Sequence, residues 1–512
     1  VLFANIPTLP DVPAGQMLVL AHREELLEQA AAKIAHWNPG LSVSIEQGER
    51  YADPNADILI SSVATLGRKV SKRRERFNWD NINVCIVDEA HHATASTYKT
   101  ILEAGGFLAD NPNKLLVGVT ATPNRSDGTP LADIFEEIVY HYSLRQAITD
   151  GWLCDLTAIR VDTRASLDWV RTTAGDFNLK DLAEAVNTPQ RNKIITQAWR
   201  ENAANRQTIV FCVDIQHSVD LAAMFQAIGV KAEAVWGDDP ERAAKLARHN
   251  AGETQVLCNC AVLTEGYDSP IVACIVLARP TKSGLLYQQM IGRGTRLFDN
   301  KPNCLIMDCF DQTGRHSLSS LPSLLGMPAE LDLRGQSAIG AIKTLEDVER
   351  EYPHINLDEL RDITKLREFI QTVNLWDVKF APEVETNSKL SWHRGLDNGY
   401  VLMLPDKEQI TIHQNMLGKF EVAGTLNGKE ISGTRDTLEA AFKSCDATVT
   451  KRTPQHLSLL QRSAKWHSGP ATDKQMATLR KLYRSQPVPT NLSKGDAHRL
   501  IGQKIATFEK RA

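Results

Sequence analysis

The sequence predicts an α/β protein: two tandem parallel-sheet domains, then a small β-rich module and a helical C-terminal tail. Three observations predict it. Short apolar runs alternate with amphipathic stretches through roughly the first 310 residues, this alternation comes in two blocks, and the pattern changes beyond Asp311. The runs at 17–20, 58–61, 84–87 and 115–119 form one block, spanning 1–148; those at 208–212, 255–258, 273–277 and 304–307 form the second, spanning 149–315. Amphipathic helices are expected between them, at 24–35 and 218–228 for example. Buried strands alternating with helices require parallel sheets covered on both faces.

Residues 316–375 read as a loop-rich, then helical and acidic extension, with helices expected at 344–351 and 357–371. Residues 376–450 read as the β-rich module, with strands at 399–404, 409–413 and 419–422 between Gly, Asn and Asp turn signals. Trp376, Trp392 and Tyr400 are its expected core. Residues 464–512 read as short basic helices interrupted near Pro487 and Pro489, with Thr472 as an N-cap and Trp466 and Tyr483 as packing residues.

Composition bounds the function less tightly. The 512 residues are 42% hydrophobic and 23% charged, ordinary for a soluble globular protein, and no apolar stretch is long enough to predict a membrane span. Nine cysteines, mostly inside apolar runs and never as C-x-x-C, predict reduced core thiols in a cytoplasmic protein rather than disulfides or a zinc site. A net charge of -4 does not advertise a nucleic-acid binder, yet a local basic groove suffices to hold phosphates.

Chemistry enters at 84–92 (VCIVDEAHH). Four apolar residues form a strand, and two carboxylates follow at its C-terminal end, the edge where open α/β sheets bind ligands. In a phosphate-handling ATPase, Asp88 holds Mg²⁺ through water and Glu89 orients and deprotonates the attacking water. An isolated acidic pair would be a solvated turn; the whole string favours the functional reading. At 118–123 (GVTATP), Thr120 and Thr122 offer hydroxyls at a strand exit. At 289–296 (QMIGRGTR), Arg293 and Arg296 are expected on one helix face, where their planar forks suit a γ-phosphate. Gly292 and Gly294 would admit a close backbone. Ahead of them, 259–270 (NCAVLTEGYDSP) reads as a strand running into a turn at Gly266 and Asp268.

With 18–27 (LVLAHREELL), 61–68 (SSVATLGR) and 208–213 (TIVFCV), these motifs resemble, in order, motifs Ia to VI of the superfamily-two DEAD/DEAH-box helicases, chiefly bacterial and phage repair types. The resemblance covers about residues 1–310. It implies two RecA-like domains with ATP and Mg²⁺ in their cleft. Asp88, Glu89, Arg293 and Arg296 are then the catalytic set, and Gly266, Asp268, Gln289 and Gly292 bind nucleotide. Thr120, Thr122 and His91 couple nucleotide state to closure, while His22, Arg23, Ser62, Thr65 and Thr264 line the nucleic-acid track.

One family motif is missing. No Gly-Lys-Ser or Gly-Lys-Thr occurs in the sequence, although a phosphate loop should precede motif Ia. Because residues 1–6 resemble the helix that follows that loop, truncation is the expected cause, and the chain as given should hydrolyse ATP slowly or not at all. Six cations among residues 68–76 read either as a phosphate-contacting loop, through Arg68, Arg73 and Arg74, or as a solvated one. The readings that follow are a DNA helicase or translocase of repair, recombination or replication, an RNA helicase, or a non-catalytic nucleic-acid-binding or annealing protein. The expected partner is nucleic acid, DNA before RNA, with no membrane; a monomer is compatible.

Overall fold

The computed structural model describes residues 2–506 except 11, 23, 69–71, 121–130, 174, 265–266, 313–317, 352–354, 356, 373–379, 396–398, 406–407, 416–417, 463–464 and 484–487. They form two compact units: residues 1–155 with 161–319, and 156–160 with 320–512.

The first unit holds two parallel-sheet lobes. In the first lobe, β1 (Gln16–Ala21), β2 (Val43–Glu46), β3 (Ile58–Ser62), β4 (Ile82–Asp88) and β5 (Leu115–Val119) form one sheet in the order β2-β3-β1-β4-β5, every pair parallel. The central strands β1 and β3 are buried along their whole length, as both faces of a parallel sheet are covered. Leu18, Leu20, Leu59 and Cys85 enter one core, while Met17, Val19, Ile58 and Ile86 enter the other with Leu27 and Ile34 of helix Glu24–Trp37. The alternation places successive residues on opposite faces.

In the second lobe, β6 (Asp155–Ser166) and a hairpin, β7 (Thr172–Thr173) with β8 (Asp176–Phe177), precede the strands β9 (Thr208–Cys212), β10 (Ala232–Val235), β11 (Val256–Cys260), β12 (Cys274–Leu277) and β13 (Asn303–Gln312). The order is β10-β11-β9-β12-β13-β6. Its helices start on chemically sensible caps. Thr188 and Pro189 open helix Pro189–Ala203, and Asp214 accepts the His217 amide ahead of Ile215–Ala227. A fully buried pair sits inside this lobe: Arg191 donates to both Asp311 oxygens at 2.9 and 2.8 Å, and to Ala278 O at 2.8 Å.

The second unit carries an antiparallel sheet of β14 (His393–Arg394), β15 (Tyr400–Met403), β16 (Gln409–Gln414), β17 (Phe420–Leu426) and β18 (Lys429–Arg435), in chain order. Helix Leu438–Arg452 covers one face, packing Phe442, Cys445 and Val449 against Trp392, Tyr400 and Ile412. Trp392 and Tyr400 are core residues as expected; Trp376 lies outside the described residues. Thr472 caps helix Asp473–Leu482 in a capping box with Gln475, and Tyr483 is buried with its hydroxyl on Leu500 O. The helix expected over 357–371 is instead two 3-10 turns and a short helix, Leu366–Thr372. Asp362 interrupts it: its carboxylate caps the Thr364 amide and pairs with Arg334. All nine cysteines are unpaired and eight are buried, so they are core thiols. Among the described residues no helix is long and apolar enough to cross a membrane.

Candidate functional site

β4 delivers Asp88 and Glu89 to the C-terminal edge of its sheet. The Glu89 amide donates to Asp88 Oδ1 at 3.0 Å, which turns the chain sharply. Glu89 has φ 49°, in the left-handed region. For a residue with a Cβ this conformation costs on the order of 1–3 kcal/mol. The strain sits where the proposed water-orienting carboxylate must leave the strand axis. His91, buried beneath it, places Nδ1 3.1 Å from Thr120 Oγ1 and 3.4 Å from Glu89 Oε2. One imidazole thus ties the turn after β4 to the exit of β5. Its ring lies tilted against His92 with centroids 4.1 Å apart, and His92 meets His22 edge-on at 5.2 Å. The carboxylate and hydroxyl oxygens of Asp88, Glu89 and Thr120 are hard donors, the class Mg²⁺ takes.

In the second lobe, Ser283 caps helix Gly284–Gly292, and Tyr287 anchors it by donating to the Asp308 carboxylate at 2.8 Å. The helix stops at Gly292, with Arg293 as its C-cap. The two arginines therefore do not share a helix face. Gly292 and Gly294 are poor helix formers, and they end the helix before Arg296. A Cβ at Gly292 would meet nothing, so close packing does not explain that glycine; at Gly294 it would collide with Cys304 Sγ. Arg293 donates to Tyr267 O at 2.9 Å and Arg296 to Asp268 at 3.0 Å. The Arg296–Asp268 pair is solvent-exposed, so it is worth about 0–1 kcal/mol and is readily exchanged for another anion. Gln289 is half-buried on the helix and its carbonyl accepts from Arg293 Nε at 3.4 Å.

Along the expected track, Thr65 Oγ1 accepts the Gly48 amide at 3.1 Å, Ser62 is buried, and Arg68 is exposed. Thr264 is buried rather than surface-lining. Arg73 and Arg74 do not stand out as free cations. Arg73 donates to the buried Glu46 carboxylate and to Arg50 O, and Arg74 to Leu66 O and Arg68 O, so both hold their own lobe together. Arg23, Thr122 and Gly266 lie outside the described residues.

Sequence reasoning missed Lys301. Its ammonium, 9% exposed, donates to Arg296 O at 2.7 Å and Pro270 O at 3.1 Å, lacing the Asp268 turn to the Arg296 segment. Burial lowers its pKa from the ordinary lysine value. Nothing about a lysine in a D-N-K-P turn signals this.

The family described as the type III restriction enzyme res subunit matches residues 7–125, the helicase conserved C-terminal domain matches 190–297, and the C-terminal domain of mitochondrial helicase Irc3 matches 372–512. The chain is 34% identical over 381 residues to a candidate ATP-dependent helicase, Irc3, of Saccharomyces cerevisiae, covering 73% of this chain and 53% of that protein. It is 32% identical over 483 residues to a candidate mitochondrial ATP-dependent helicase, Irc3, of Schizosaccharomyces pombe, covering 91% and 78%. A type I restriction enzyme endonuclease subunit of Escherichia coli (EcoAI) is 24% identical over 313 residues, covering 55% and 38%. The chain thus spans about half the length of the first relative. A fission-yeast relative matched across nine-tenths of this chain, with helicase motifs on two RecA-like lobes, decides the affiliation: the chain belongs to the Irc3 family of superfamily-two helicases.

Proposed function

We propose that the protein is an ATP-driven helicase or translocase acting on DNA. The observation that carries this is the turn after β4: a strained Glu89 beside Asp88, tied through His91 to Thr120. A strand ending in a merely solvated acidic turn has no use for a left-handed glutamate over a buried histidine. When bound, Mg²⁺–ATP supplies the scissile phosphoanhydride. Asp88 is the residue that would hold the metal, through water, and Glu89 orients the attacking water and accepts its proton. Arg293 and Arg296 offer charge-assisted hydrogen bonds to the phosphates. Closure of the lobes on nucleotide, read through Thr120 and His91, moves the nucleic acid along the surface that includes His22, Thr65 and Arg68.

DNA is favoured over RNA by the wording of the 262–270 and 289–296 segments, which is closer to DNA-acting members of the superfamily. Repair, recombination or replication is the expected setting. The name of the fission-yeast relative supports a mitochondrial address over the cytoplasmic one that composition suggested. Glu89→Gln in the full-length protein tests the function: strand displacement is lost while nucleic-acid binding remains. Undiminished displacement refutes the motor, and displacement of RNA duplexes alone replaces DNA with RNA.

A further inference from the structure

The turn after β2 is built more firmly than a connection requires. Residues 47 and 50 close it by reciprocal backbone hydrogen bonds, and Gly48 adopts φ 51° at its tip. Three neighbouring segments are tied to it. Glu28 of helix Glu24–Trp37 pairs with Arg50, Thr65 accepts the Gly48 amide at 3.1 Å, and Arg73 donates to Gly48 O and Arg50 O. Beneath the turn, Glu46 is fully buried and neutralised by Arg73 and by Arg76 at 3.1 Å.

Out of this framework stands Tyr51, an aromatic ring that is 63% exposed. The Arg73 guanidinium carbon lies 3.9 Å from the ring centroid and that of Arg76 4.9 Å. The two cations lie over the ring and fix it while more than half of the residue stays open to solvent, so holding it in place costs little further entropy when a ligand arrives. An ordinary surface tyrosine would need no such support, and a core residue would not be left in water. The flat face, the cations around it and its linkage to Thr65 match the chemistry of a single-stranded nucleobase and its phosphate.

We infer that Tyr51 is a stacking platform for a base of the bound strand, an addition to the residues expected to line the track. This rests on the nucleic-acid reading above. The base loses its water and stacks on the ring, and Arg50, whose pair with Glu28 is exposed, is available to the adjacent phosphate.

The test measures affinity of the full-length protein for a labelled oligodeoxythymidine strand and for the same strand built from abasic residues, which keeps every phosphate. Tyr51→Ala is expected to weaken binding of the normal strand by roughly tenfold, as loss of one stacked base does. On the abasic strand it should match the wild type, and Tyr51→Phe should behave as wild type on both. Equal affinities of Tyr51→Ala and wild type for the normal strand overturn the inference. Equal losses on both strands also overturn it, because the ring then only braces the Glu46 cluster. Failure of the wild type to bind either strand at low salt instead removes the nucleic-acid reading on which the inference rests.

Discussion

Replacing Lys301 by Met tests how the arginine segment is held. The lysine makes two charge-assisted hydrogen bonds, to Arg296 O at 2.7 Å and Pro270 O at 3.1 Å. Bonds of this kind contribute about 1.5–3 kcal/mol each. Methionine fills nearly the same volume and removes the cost of burying an ammonium, which returns part of that loss. The net penalty, about 1–3 kcal/mol, falls on the 293–301 segment, because both acceptors belong to it or to the turn it packs on. Opening of that segment should therefore become about 5- to 150-fold more frequent. Hydrogen exchange reads this directly: amides within 294–301 lose protection by that factor while those of β9 do not change. In the full-length protein kcat for ATP falls at least several-fold, since Arg293 and Arg296 are no longer held in register. Exchange at 294–301 and kcat both within twofold of wild type would refute the reasoning.

Asp311→Asn strands the Arg191 guanidinium, which is 1% exposed, and should cost about 3–5 kcal/mol; Arg191→Met with Asp311→Leu should recover most of it, followed by urea unfolding through the buried Trp199. Gly294→Ala forces a methyl against Cys304 Sγ and should cost about 1–3 kcal/mol, with Cys304→Ala restoring stability; no rescue would place the strain elsewhere. Acid should loosen the C-terminal unit through His393. Burial, aided by the charges of His498 and Arg499, lowers its pKa to about 3. The unfolded chain, with an ordinary value of 6.5, binds the proton more readily between those limits, so the contribution is complete above the unfolded value and is lost as pH falls. By about pH 5 this one histidine costs about 2 kcal/mol. His467 and His498, also shifted downward, act in the same direction. His393→Phe should flatten the pH dependence of unfolding followed by tryptophan fluorescence; an unchanged slope would exclude His393.

The parallel sheets were legible because their strands are buried on both faces and read as unbroken apolar runs, as at 84–87 and 208–212. β2 and β10 were missed for the converse reason. They are edge strands of four residues, VSIE and AEAV, with too little apolar length to register. β18, KEISGTR, is a polar edge strand whose assignment depends on its hairpin with β17. Asp88, Glu89, Arg293 and Arg296 were visible as motif residues, but not the geometry around them. The left-handed Glu89 depends on how β4 meets its following turn, and the arginines leave the helix because Gly292 ends it. The basic run at 68–76 misled in part. Charge counts in a sequence do not reveal that Arg73 and Arg76 converge on Glu46, a carboxylate 27 and 30 residues earlier that the fold buries completely. Lys301 and Tyr51 carried no sequence signal, since each draws its meaning from carbonyls or cations supplied by distant segments.

The most direct test is the rate of ATP hydrolysis by the full-length protein with and without single-stranded DNA, for the wild type, Glu89→Gln and Arg296→Ala. One hydrolysis site built from both lobes and completed by closure on nucleic acid predicts strong stimulation by DNA in the wild type. It also predicts loss of the stimulated rate in both variants, although the two residues sit on different lobes. Hydrolysis indifferent to nucleic acid, or undiminished by either substitution, would contradict the account.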